Sequence, residues 1–82
     1  MGGSFTPELI ALLKEGGCYF VRHGKGDHDI FGVGFYIARV VAGYGCVDVL
    51  PEIGEYVLNN VNAGACYDAD AHAVLFQAAK GI

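Results

Sequence analysis

The sequence predicts a small α+β domain, on three observations. An apolar stripe at helical spacing follows Thr6-Pro7, a β-branched and aromatic run bounded by glycines follows Gly16-Gly17, and a second helical stripe closes the chain. With 82 residues the chain reads as one domain, residues 1–82, and chains of this size bury roughly 60% of their unfolded surface. A composition of 54% hydrophobic and 17% charged residues excludes a disordered tail and a coiled coil.

The elements follow in order. Thr6 offers an N-cap, Pro7 suits the first helical position, and Glu8 complements the positive end of the helix dipole. Leu9, Ile10, Leu12 and Leu13 then form the stripe, and Gly16-Gly17 ends it, so a helix is expected over residues 6–16. Cys18-Tyr19-Phe20-Val21 reads as a strand, Gly24-Lys25-Gly26 as a turn, and His28-Asp29-Ile30-Phe31 as the start of a second strand. From Ile30 to Val47 only Arg39 is charged, which invites a membrane reading. A central Arg costs about 2.5–3.5 kcal/mol in a bilayer, and Gly32, Gly34, Gly43 and Gly45 interrupt the run. Phe35 to Val41 is therefore read as a third strand between glycine turns, with no membrane span. Leu9, Leu12 and Leu13 should pack on a sheet built from residues 18–22 and 28–41. Beyond Asp48, the spacing of Ile53, Tyr56, Val57 and Val61 predicts a helix ending at Ala63-Gly64. A last helix runs from Asp70 as cap through Val74, Leu75 and Ala78 to Gly81.

Charge and cysteine usage narrow the function classes. Nine acidic residues against five Lys and Arg give a net charge of −4, a poor balance for a general nucleic-acid binder. Residues 31–82 carry two cations against five carboxylates, so any polyanion must be held by the first third. Three cysteines without a CxxC spacing argue against a disulfide framework or zinc ribbon and fit a reducing cytosol. Cys18 and Cys46 read as core thiols and Cys66 as a more exposed one. Met1 to Phe5 contain neither a basic nor an apolar leader segment. Asp68, Asp70 and His72 could face a metal from a strand, but the same residues read better as a helix cap. Gly32-Val33-Gly34 and Gly43-Tyr44-Gly45 are incomplete as nucleotide loops, because Asp48 stands where a third glycine should fall. No metal and no cofactor is expected.

The densest chemistry lies in Arg22-His23-Gly24-Lys25-Gly26-Asp27-His28-Asp29. A glycine-lined turn lets backbone approach a ligand, cations hold phosphate oxygens, and histidine accepts a proton near neutral pH. A solvated hairpin turn would show the same composition.

The stretch from Glu8 through Phe31 resembles the opening of HicA-type toxins, the small messenger-RNA interferases of bacterial toxin–antitoxin pairs. The shared features are the Glu8-Leu9-Ile10-Ala11-Leu12-Leu13 helix, a glycine, an aromatic strand, and Lys25-Gly26-Asp27-His28 before an apolar run. The resemblance covers residues 6–31. It implies a double-stranded-RNA-binding-like α-β-β-β-α fold, metal-independent endoribonuclease activity and a HicB-type antitoxin as partner, to which the cysteine usage adds a cytoplasmic location. It makes His28 the match for the catalytic histidine. The second half departs from the family, which is usually basic there. Two segments compete for its terminal helix: Ala73 to Ile82, and Leu50-Pro51-Glu52-Ile53-Gly54 through Ala63-Gly64. If the later one closes the fold, residues 32–69 form an enlarged, glycine-rich middle with room for an extra helix.

On this reading His28 draws the proton from a ribose 2′-hydroxyl. Lys25, Arg22 and the backbone donors of Gly24 and Gly26 stabilise the phosphorane, with Lys14 adding to RNA binding. Asp27 and Asp29, beside His28, should favour its protonated form. The alternative is a non-catalytic module that binds an antitoxin partner or self-associates, favoured by the acidic second half and the apolar run from Phe31 to Val47.

Overall fold

The computed structural model describes residues 5–50 and 54–81. Its elements are α1 (Thr6–Glu15), β1 (Phe20–His23), β2 (His28–Gly32), α2 (Phe35–Gly43), β3 (Val47–Leu50), β4 (Glu55–Asn59), α3 (Asn60–Cys66) and α4 (Ala69–Lys80). The protein is a small α+β domain whose strands form one antiparallel sheet in the order β1-β2-β4-β3.

Helix α1 buries Leu9, Leu12 and Leu13, as its stripe predicts. Its start differs in detail. Phe5 occupies the cap position without a side-chain bond, and the Thr6 hydroxyl donates instead to the Asn60 carbonyl at 3.2 Å. At the other end Gly16 caps the helix and Gly17 takes a φ of 95°, the left-handed conformation that glycine adopts without strain. The Cys18 amide still donates to the Leu13 carbonyl at 2.9 Å, so the first strand begins two residues later than expected.

The expected third strand is a helix. In α2, Ile37, Ala38 and Val41 are buried, while Phe35, Tyr36 and Arg39 face outward. That i, i+1, i+4 set is a helical face, and covering the core outweighs the strand preference of the β-branched residues. The expected helix after Asp48 is likewise replaced, over the residues described, by strands. In β4, Tyr56 and Leu58 are buried and alternate with half-buried Glu55, Val57 and Asn59. Val61 is exposed in α3, and Ala63 and Gly64 lie inside that helix; Pro51, Glu52 and Ile53 lie outside the described residues. The chain closes on the later candidate, α4. Its cap is Asp68, accepting from the Ala71 amide, with Asp70 in the first turn and Gly81 at the end.

The two faces of the sheet are unlike. Across it, Phe20, Phe31, Tyr56 and Val49 form one row, and Arg22, Ile30, Val57 and Asp48 form the next. Phe31 and Tyr56 belong to the core with Leu58, Val47, the α1 leucines, Ile37, Tyr67 and Leu75. Ile30, though buried, stands outside that core, because its row points to the face without helices. The stretch from Ile30 to Val47 is divided among β2, α2 and the start of β3, and no described helix is long and apolar enough to cross a membrane.

Two glycines at the helix junctions separate costly from tolerable substitution. A Cβ on Gly34 would stand 2.4 Å from the Cys18 amide nitrogen, so backbone would have to move. The atoms nearest a Cβ on Gly32 are the outer ring atoms of Tyr19, a flexible side chain that is 60% exposed and can swing away. Gly34→Ala should therefore lower unfolding free energy by about 2–4 kcal/mol and Gly32→Ala by about 1 kcal/mol or less in urea titrations. Equal losses would show that the Gly34 contact does not constrain the fold.

Candidate functional site

The β1–β2 hairpin closes at residues 24–27, between Arg22-His23 and His28-Asp29. The Gly24 amide donates to the His28 carbonyl at 2.7 Å, and Gly26 has a φ of 65°. This turn brings His28 back over Lys25, whose carbonyl lies 2.7 Å from His28 Nδ1. A carbonyl only accepts, so Nδ1 carries the proton and Nε2 of the neutral ring holds the free lone pair. His28 is half-buried and lies, by its register with Ile30, on the helix-free face. The Lys25 side chain and the Gly26 amide share the exposed turn, and neither is engaged by a hydrogen bond or ion pair among the described residues.

The other expected ligand groups are placed less favourably. The Arg22 guanidinium shares the helix-free face but donates from Nη1 to Glu55 Oε2 at 3.0 Å, across β2. The Gly24 amide is committed to the His28 carbonyl, so it is no free donor for a phosphorane. Lys14 sits exposed in the last turn of α1, in the helical layer, and is not brought to Arg22 or His28.

Asp29 serves a different histidine from the one expected. It points to the helix-covered face, where Oδ1 meets His23 Nδ1 at 2.8 Å and Oδ2 accepts from Asn60 Nδ2 at 2.9 Å. The Asn60 amide donates to the Asp27 carbonyl at 2.8 Å, so the hairpin end is clamped to the start of α3. Partial burial alone would push the Asp29 carboxyl up. The bonds from Asn60 and His23 and the charge on His23 outweigh it and hold the group below its ordinary 3.8. Sequence reasoning missed this clamp and the Glu55 partner of Arg22. His23 and Asp29 are cross-strand neighbours once the hairpin register is known, but nothing local marks Asn60 or Glu55.

The remaining candidates are structural. Burial pushes the Cys18 thiol up to about 11, and burial with the neighbouring Cys66 and Asp68 pushes Cys46 up to about 12. Neither is a thiolate at neutral pH. Cys66 is half-buried, with its thiol against the Ala63 carbonyl. Asp68 caps α4, and His72 Nδ1 lies 2.6 Å from the Tyr67 hydroxyl with its ring stacked on Phe76. Among the described residues no three His, Cys, Asp or Glu side chains are grouped to hold a metal ion. A cavity of about 570 Å³ lies between α2 and the β3–β4 strands, lined by Val33, Phe35, Arg39 and Tyr56 among others, at the opposite end of β4 from His28. Comparison with protein-family models, with curated proteins and with solved structures finds no match.

The depressed Asp29 carboxyl has a pH signature. A carboxylate held below its unfolded value contributes stability that is present above the ordinary 3.8 and is lost as pH falls through the folded value. Thermal unfolding of the wild type should therefore decline more steeply below about pH 4 than that of Asp29→Asn, whose amide does not titrate there. Parallel curves for the two proteins would mean that the Asn60–Asp29–His23 clamp contributes nothing.

Proposed function

We propose that the chain is a HicA-like endoribonuclease, the toxin of a type II toxin–antitoxin pair, acting in the cytoplasm and restrained by a HicB-type antitoxin. The observation that carries the reading is the His28 geometry. Its Nδ1 bond to the Lys25 carbonyl fixes the tautomer whose Nε2 accepts a proton, on the turn that also carries Lys25 and the Gly26 amide. In the proposed reaction Nε2 takes the proton of a ribose 2′-hydroxyl, the 2′-oxygen bonds to the adjacent phosphorus to give a 2′,3′-cyclic phosphate, and the P–O5′ bond breaks, the 5′-oxygen leaving as a hydroxyl with a proton from water. Lys25 and the Gly26 amide offset the charge that grows on the phosphorane, and Arg22 contributes once it is drawn from Glu55. The need for a 2′-hydroxyl selects RNA over DNA.

The element order supports a double-stranded-RNA-binding-like scaffold. Taken alone, α1, β1, β2, β4 and α4 run helix, three adjacent antiparallel strands, helix, with α1 against α4. On that alignment the enlarged middle, residues 32–69, adds α2 and β3 between the second and third strands and α3 between the third strand and the closing helix.

A second reading, a non-catalytic module that binds an antitoxin or self-associates, is favoured by one observation. The helix-free face that would receive RNA carries Glu55 and Asp48, and Glu55 already holds Arg22. With only one or two cations left for phosphate, doubling the salt should weaken RNA binding by only about 1.6- to 2.6-fold.

Cleavage of labelled RNA separates the readings. His28→Ala should lose at least about a hundred-fold in rate while His23→Ala, which lies on the other face, stays within a few-fold of wild type. A 2′-deoxy substitution at the scissile position should block cutting. Equal rates for wild type and His28→Ala would end the nuclease reading, and a folded sample that binds no RNA at low salt would leave the binding module.

A further inference from the structure

The outer strands of the sheet, β1 and β3, carry matched opposites. On β1, Phe20 and Val21 are 45% and 39% exposed, with Tyr19 just before the strand 60% exposed, and on β3 Val49 is 41% exposed. No described backbone hydrogen bond engages the outer edge of either strand. Proteins usually guard such edges, because unpaired amides and carbonyls beside apolar side chains are a template for another strand.

We propose that the chain associates with second copies of itself head to tail, β3 of one copy pairing antiparallel with β1 of the next. Three features of the registers converge on this arrangement. The first is strand direction: β1 and β4 run one way and β2 and β3 the other, so placing β3 beside a neighbour's β1 continues the antiparallel alternation with every helical layer on one side. The second is charge. Arg22 and Asp48 end the same cross-sheet row, so in-register addition sets the Asp48 of one copy opposite the Arg22 of the next. Only Nη1 of Arg22 is engaged, by Glu55, and the side chain is 55% exposed, which leaves donors for a second carboxylate. The third is apolar contact: the adjoining row ends in Phe20 and Val49, two exposed side chains that would meet on the helical face.

Pairing β1 with another β1 lacks this match, since it gathers Arg22, His23 and Lys25 of both copies at one seam. A β3-to-β1 contact is heterologous, so it extends rather than closing at a dimer. The inference is independent of the nuclease reading and survives its failure.

Sedimentation velocity on the full chain, with folding checked by circular dichroism, tests it. The weight-average mass of the wild type should rise with concentration beyond the dimer and fall with added salt. Asp48→Lys and Arg22→Glu should each weaken association at least about ten-fold, and an equimolar mixture should recover it, because every seam between unlike copies again pairs opposite charges. Val49→Asp, remote from the Arg22–Glu55 pair, should weaken it as well. Folded wild type that stays monomeric at all concentrations would overturn the proposal. So would Asp48→Lys associating as tightly as wild type with a mass that stops at the dimer, which would assign the seam to β1 alone.

Discussion

Two backbone segments meet where α1 ends and α2 begins, and their contact leaves no room for a Cβ. A methyl on Gly16 would overlap the Ile37 side chain, and one on Gly34 would overlap the Cys18 backbone and thiol. The Cys18 thiol lies 3.7 Å from the Gly34 carbonyl, so the segments are also joined by a weak bond. With this contact in place, Ile37 is fully buried and α2 lies in the same layer as α1 and α4. Phe31, Tyr56 and Leu58 then have a roof, and the sheet acquires one dry face and one open face. Every chemical distinction at the hairpin end follows from that division.

At the hairpin the alternation of a strand sends neighbouring residues to opposite environments. His28 faces the open side with its tautomer set by a main-chain carbonyl, whereas Asp29 faces the helices and joins His23 to Asn60. Two histidines and two carboxylates that stand together in the sequence are thus divided into a turn-borne base and a structural clamp. Asp29 leaves His28 without the carboxylate that its position in the chain suggests.

How much of this was legible follows from the range of the signals involved. Helix α1, the hairpin and α4 are specified by nearby residues: the leucine stripe, the glycine turn, and the Asp68-to-Gly81 stripe with its caps. The turn between Lys25 and His28 was legible for the same reason. Residues 35–41 misled because β-branched and aromatic residues dominate, although Ile37, Ala38 and Val41 already carried the helical spacing. Residues 56–61 misled in reverse: Tyr56 and Val57 fit a helical stripe, but the burial of Tyr56 and Leu58 alternates with half-buried neighbours. Which period wins is settled by partners distant in the chain, β2 and β3, and a local window contains no trace of them. The same applies to Glu55 and Asn60, which reach Arg22 and Asp29 from far along the chain.

The packing of α1 on α4 sets the order in which the chain can fold as it is made. On a ribosome the leucines of α1 emerge well before Leu75 and Ala71, which help to bury them. Strand β2 must likewise wait for β4, across the whole of α2 and β3. Local closure can give the hairpin early, but the hydrophobic layer has no cover until α4 has emerged. Until α4 emerges, then, the nascent chain presents an uncovered apolar helix and a lone two-stranded ribbon, the kind of intermediate that holdase chaperones bind.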